Sequence, residues 1–250
     1  MHRTVDPEML DHLAPGDPAA RRSRRDLLRI HHVMGTRSIV ARGWQSLCPG
    51  REAATPLRVL DIGAGDGSLL LGVAARLAPR WPGVHLTLMD RQDIVTPATL
   101  AAFEAVGWRA TTEVADVLDW AAAPLAATHN GAAPRPWDLI STALFLHHFR
   151  QAELVALLAA VAARTTRFFA CEPRRSRMAL AASHLVGAIG ANAVTRQDAV
   201  LSVHAGFRHQ EVSASWPGAA AQWQCTEYAA GAFSHCFSAR LAGGPGSPDP

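Results

Sequence analysis

The stretch Arg58–Leu77, RVLDIGAGDGSLLLGVAARL, decides how the rest of the chain is read. Its first part is a short apolar run closing on an acid, Asp61. Its second part spaces Leu69, Leu70, Val73 and Leu77 at helical intervals. Gly63, Gly65 and Gly67 fill the turn between them. A strand that passes directly into a helix needs glycine there, because the backbone turns sharply, takes positive φ and lies bare against a ligand. A dinucleotide fingerprint would require glycine at position 68, where the chain has Ser68. The spacing G-x-G-x-G therefore predicts a flat ligand without a pyrophosphate.

Outward from this turn, short apolar runs alternate with helical patterns, which predicts βαβ units and a mostly parallel sheet. Strands are expected at Arg58–Ile62, His85–Asp90, Ala110–Ala115, Trp137–Leu144 and Arg167–Cys171, and helices at Ser68–Leu77, Pro97–Val106 and Gln151–Ala163. Residues 1–56 read as a helical extension or cap, with Leu27, Leu28, His31, Met34 and Ile39 on one face and an arginine cluster (Arg21, Arg22, Arg24, Arg25, Arg29) as a solvated face. Residues 57–241 form the main domain. The Ala/Pro/Gly-rich Ala121–Pro136 is expected as a surface loop, Met178–Val194 as a lid-like helix, Gly206–Ser215 and Ala232–Arg240 as a pair of antiparallel strands, and residues 242–250 as a disordered tail. Thr195 and Asp198 have the form of a capping box. Trp216, Trp223, Tyr228 and Phe233 read as core of the β addition in preference to a stacking platform.

Composition narrows the chemistry. With 250 residues and 49% hydrophobic content, the chain can bury one sizeable core. All 24 basic residues are arginine, which excludes Schiff-base and P-loop lysine mechanisms; a coding bias accounts for the usage. A formal charge of +3, spread along the chain, gives no reason to expect nucleic acid. Cys48, Cys171, Cys225 and Cys236 are far apart with no C-x-x-C pair, so no metal site is expected and reduced thiols in the cytoplasm fit. Asp6, Glu8, Asp11 and Asp17 precede any apolar run, unlike a signal peptide, and Met178–Val194 is too short and too polar to cross a membrane.

Further acids stand at strand ends. Asp90 closes the second predicted strand, about 20 residues beyond the glycine turn, where a ribose-binding carboxylate belongs. Asp116 follows the third, with Asp119 nearby, and either acid can instead cap a helix. The fourth reads WDLISTALFLHHF. Taken together, D-x-G-x-G-x-G at Asp61–Gly67, Asp90, Asp116 and WDLI resemble the class I S-adenosylmethionine (SAM) dependent methyltransferases over roughly Leu57–Pro173. The resemblance implies a Rossmann-like seven-stranded sheet of order 3-2-1-4-5-7-6 with the last strand antiparallel and helices on both faces. It implies SAM as cofactor and S-adenosylhomocysteine as product. The residues it assigns to the cofactor are Gly63, Ala64, Gly65 and Gly67 of the turn, Asp61 towards the methionine part, Asp90 for the ribose with Arg91 next to it, Asp116 and Val117 for the adenine, and Thr142 and Ala143 along the methionine part.

Methyl transfer from a sulfonium is an in-line displacement, so orientation of donor and acceptor does most of the work. A base is needed only where the acceptor must lose a proton. His147 and His148, just beyond the fourth strand, and His184 on the lid-like helix are the candidates, although the pair reads as capping or core histidines in preference to proton acceptors. By location, His32, Arg37, His148, His184 and Asn192 are expected to meet the substrate. The expected partner is a small-molecule acceptor, aromatic, quinone or polyketide-like, methylated on oxygen or carbon by a monomer or homodimer. Two other readings stand beside this one. An RNA or protein methyltransferase would fit the arginine-rich N-terminus, but STALF replaces an N-P-P-Y motif. A non-catalytic SAM-binding regulator would keep the fold without the chemistry.

Overall fold

The computed structural model describes residues 1–49, 56–125, 136–218 and 222–243. Most of the expected loop at Ala121–Pro136, and all but the start of the expected tail, lie outside the described residues. Among the described residues the sheet has seven strands: β1 (Leu57–Ile62), β2 (Val84–Asp90), β3 (Trp108–Val114), β4 (Leu139–Ala143), β5 (Arg167–Pro173), β6 (Trp223–Ala230) and β7 (Ser234–Leu241). Their order is β3-β2-β1-β4-β5-β7-β6. The first five run parallel, and β7 lies antiparallel between β5 and β6.

β1 sits at the centre and is buried at every position except Arg58, as a parallel strand covered on both faces must be. Its residues alternate between two cores. Leu57 and Val59 join the one beneath α3 (Thr36–Leu47) and α4 (Ser68–Leu77), while Leu60 and Ile62 join the one beneath α7 (Gln151–Arg164). In the first core Trp44 lies near-parallel to Trp81 and to Trp108, with ring centroids 6.4 and 6.2 Å away. Its indole N–H donates to Ser141 Oγ at 3.1 Å. Gly43 lets α3 approach this closely, because a Cβ there would fall 2.1 Å from the Phe169 ring. α3 is thus part of the main core, and the expected division at residue 57 separates no second core.

The other N-terminal helices are α1 (Met9–His12) and α2 (Pro18–Met34). Asp17 caps α2 by accepting from Ala19 N at 2.6 Å, Pro18 opens it, and Gly35 at φ 68° closes it. The remaining helices are α5 (Pro97–Ala105), α6 (Val117–Ala122), α8 (Arg177–His184) and α9 (Ala193–Ala205). No helix of the described residues is long and apolar enough to cross a membrane.

The last third departs from expectation in four places. The continuous helix at Met178–Val194 is broken: α8 ends at His184, a 3₁₀ turn covers Val186–Ile189, Gly190 takes φ 82°, and α9 begins afresh. Asn192 caps α9 by accepting from Thr195 N at 2.8 Å, so Thr195 and Asp198 form no capping box. Thr195 Oγ1 instead meets Ser23 Oγ at 2.8 Å, and Asp198 accepts from Met9 N and Leu10 N. Gly206–Ser215 is irregular with a 3₁₀ turn at Ser213–Ser215, and the strand that pairs with β7 is β6. β6 escapes periodicity because it is an edge strand in which only Trp223 is buried. Trp216 and Trp223 do pack in the core with Phe168 and Phe237, whereas Tyr228 is exposed and Phe233 faces a cavity.

Candidate active site

The carboxyl ends of β1, β2 and β4 meet at the glycine turn. Gly63, Gly65 and Gly67 all have positive φ, at 74°, 57° and 77°. Gly63 N and Ala64 N donate to Met89 O at 2.9 and 3.0 Å, which ties the turn to β2. Asp90 completes the hold: one carboxylate oxygen accepts from Gly65 N at 2.8 Å and the other from Gln92 N at 2.9 Å. Each oxygen keeps a second lone pair for a ligand. Phe145 lies across the turn, so near Gly63 that a Cβ there would fall 2.3 Å from the ring.

Below the turn, Asp61 is buried beside its register partner Ser141, whose hydroxyl bonds it. Burial pushes the Asp61 carboxyl well above its ordinary range; Ser141 opposes this and the charge of Asp90 adds to it. Among the described residues, Asp61 Oδ1 has no hydrogen-bond partner, nor has Thr142 Oγ1 on the neighbouring strand. Two orphaned polar atoms at adjacent strand ends are uncommon in a folded interior.

The turn opens into a cavity of about 830 Å³. Ala64, Gly65, Asp90, Arg91, Asp116, Val117 and Ala143 line it, so most of the expected cofactor set converges there. Gly67, Asp61 and Thr142 stand behind the lining. Asp116 caps α6 by accepting from Leu118 N at 2.8 Å. Arg91 is turned away towards the N-terminal segment, where it pairs with Asp11 at 3.3 Å. Away from the turn, Leu27, Leu28 and Met34 of α2 and Ala179 and Ala182 of α8 line the cavity, with the polar Ser23, Arg24, His31 and Ser183 of the same helices among them.

The histidines divide sharply. His147 is buried, with Nδ1 2.9 Å from Glu172 Oε2 and Nε2 3.3 Å from Glu8 Oε1. Burial alone would lower its pKa, but the bonds to Glu172 and then Glu8 outweigh that and hold it at about 9. With both nitrogens bonded to carboxylates, His147 is placed as the capping or core histidine that stood beside the proton-acceptor reading. His148 is partly exposed, lines the cavity and sets Nδ1 3.1 Å from Asp11 Oδ2. Burial would raise Glu8 and Asp11, yet His147 and His148 bring both below the ordinary range.

The other expected substrate residues do not reach the cavity. His184 is exposed at the end of α8, and Asn192 is occupied as a helix cap that also donates to Ala19 O. Arg37 packs over Gly72 of α4. His32 is exposed, and its neighbour His31 takes the lining position on the α2 face of Leu27 and Leu28. Burial and the charge of Arg37 lower the pKa of His31 to about 4.

Three functional residues escaped the sequence. Glu172 ends β5 and accepts from the backbone N–H groups of Phe145, Leu146 and His147. It thereby supports Leu144, a non-glycine residue at φ 57° where the chain bends out of β4. Its signal is the one that marked Asp90, an acid closing a parallel strand. Glu8 and Asp11 carry no local signal, since only the tertiary path of residues 1–12 brings them to the histidines.

No family model and no curated protein sequence matches the chain. Solved structures do match. The plantazolicin methyltransferase BpumL, solved with a triazolic desmethylPZN analogue and SAH, superposes with a TM-score of 0.60 at 14% identity, covering 90% of this chain and 92% of that one. An O-methyltransferase family protein from Burkholderia thailandensis gives 0.55 at 15%, covering 92% and 62%. TnmH gives 0.53 at 21%, covering 94% and 62%. The chain thus spans under two thirds of the latter two. Strand order, the antiparallel β7 and these superpositions agree that the chain has the class I SAM-dependent methyltransferase fold.

Proposed function

We propose that the chain is a SAM-dependent methyltransferase acting on an oxygen or carbon of a small, largely apolar acceptor. The carrying observation is the pairing of two things at one place: a three-glycine cradle held by Asp90, and a cavity of about 830 Å³ with a largely apolar lining. The residues present fit the cofactor. The orphaned Asp61 Oδ1 and Thr142 Oγ1 call for polar partners beneath the cradle, directly or through water, and a carboxyl as deeply buried as Asp61 favours a cationic neighbour. Asp90 offers two acceptors to a ribose, and Val117 with Leu118 offers an apolar surface to a base.

When bound, SAM supplies an electrophilic methyl group on a sulfonium. The chain's own part is to orient and to exclude water, which supplies several kcal/mol of the barrier. Phe145 and the α2 face close the acceptor side. His148, backed by Asp11, is the residue we assign to the acceptor's reacting atom, since it alone of the three candidate histidines combines a cavity position with partial exposure. Of the arginine cluster read as a solvated face, Arg24 is half-buried and lines the cavity, where it donates to Gln92, while the exposed Arg21, Arg22, Arg25 and Arg29 do not line it, which favours a small acceptor over RNA. Turnover of a panel of phenolic, quinone and polyketide-like acceptors with labelled SAM tests this reading. Label transfer to one class supports it, and label transfer only to RNA or protein overturns it.

A further inference from the structure

Where the N-terminal segment crosses the end of β4, Glu8, His147 and His148 each bring one ligand-capable atom within 4.8 Å of the others. The surroundings are arranged as those of a coordination site. Glu172 holds Nδ1 of His147 and Asp11 holds Nδ1 of His148, so both imidazoles keep Nε2 as the remaining nitrogen. Carboxylates behind the far nitrogen are the usual means of fixing a metal-ligating histidine. The carboxylate of Glu8 is itself steadied by the Ser202 hydroxyl, and Asp11 by Arg91. The separation of 3.3 Å between His147 Nε2 and Glu8 Oε1 is close to the edge, about 3.4 Å, of a tetrahedron built from bonds of about 2.1 Å.

We propose that Glu8, His147 and His148 bind a divalent transition-metal cation of the zinc type at the acceptor end of the cavity. Two imidazoles and one carboxylate suit such a cation, whereas magnesium and calcium prefer all-oxygen sets. On binding, the cation takes the place of the proton shared between His147 and Glu8. Three protein ligands leave one position open, and it faces the cavity that Glu8, His147 and His148 all line. Resting on the methyltransferase reading, this site takes an oxygen of the acceptor, a hydroxyl or carbonyl, as its fourth ligand, and His148 then meets the acceptor through the cation. Glu8 belongs to the N-terminal segment and the histidines to the β4 end, so the cation also fastens that segment over the cavity.

The test is calorimetric titration of the chelator-treated full chain with Zn²⁺, paired with titration by S-adenosylhomocysteine. The expected result is saturable binding of one equivalent. Glu8→Gln and His148→Ala should abolish it, and Glu172→Gln should weaken it by about 10–100-fold. His32→Ala, His184→Ala and Cys225→Ser, all at exposed positions, should leave it unchanged. Absence of one-equivalent binding by the wild-type chain, or binding insensitive to Glu8→Gln and His148→Ala, overturns the site. S-adenosylhomocysteine binding is read separately, so loss of zinc binding with the nucleoside retained refutes the metal and leaves the methyltransferase reading standing. The converse result refutes the methyltransferase reading alone.

Discussion

The Glu172 carboxylate lies 2.9 Å from Nδ1 of His147 and at the same time caps the turn from which that histidine projects. Both side chains are buried, so removing one leaves the other uncompensated in a low-dielectric interior. Glu172→Ala should destabilise the fold by about 3–5 kcal/mol in urea unfolding, the cost typical of a broken buried pair. A loss near that of an exposed ion pair, under about 1 kcal/mol, would show that the turn does not depend on it.

Asp90 supports the glycine turn and faces the ligand space. Asp90→Ala removes the acceptor that holds Gly65 N and the carboxylate offered to the ribose; a charged hydrogen bond to the ligand, worth about 1.5–3 kcal/mol, corresponds to about 10–100-fold in affinity. Calorimetry with S-adenosylhomocysteine should read that loss. An unchanged affinity would move the cofactor away from β2.

Gly63 is constrained twice, by φ at 74° and by the Phe145 ring. Gly63→Ala should lower the unfolding midpoint and displace Phe145, whereas Gly65→Ala meets no neighbour within 4 Å and bears only the backbone strain of about 1–2 kcal/mol. Thermal unfolding of the two variants side by side checks the order. Equal stabilities would mean that Phe145 does not rest on the turn.

His31 gives the molecule an acid-sensitive component. Its folded pKa of about 4 lies below the ordinary value near 6.5, so between these two the unfolded chain binds the extra proton. Stability is present in full above about pH 6.5 and falls as pH drops towards 4, by at most about 1.4 kcal/mol per pH unit from this group. Urea midpoints across that range should flatten in His31→Leu. An unchanged slope in the variant would assign the acid sensitivity elsewhere.

The parallel half of the fold was legible because its physics is local: Arg58–Leu77 states strand, turn and helix in twenty consecutive residues, and each following strand ends on an acid or in an apolar run. β6 was not legible, being an edge strand without an apolar face, and neither was the break at Gly190, which depends on Asn192 finding Thr195 N. Of the site, the cradle and Asp90 follow from the strand–turn–helix pattern. The helical spacing did put His31 on the inward face with Leu27, Leu28 and Met34, whereas His32, assigned to the substrate by location alone, lies on the exposed side of the same helix. Glu8 and Asp11 reach His147 and His148 across more than 130 residues of sequence, a distance over which no local pattern carries information.

Whether the glycine cradle holds a SAM-type cofactor is read by calorimetric titration of the wild-type chain with S-adenosylhomocysteine. Saturable binding of one equivalent, weakened in Asp90→Ala, is the predicted result. A flat titration, with the protein folded by circular dichroism, would contradict the claim that the glycine cradle serves a SAM-type cofactor.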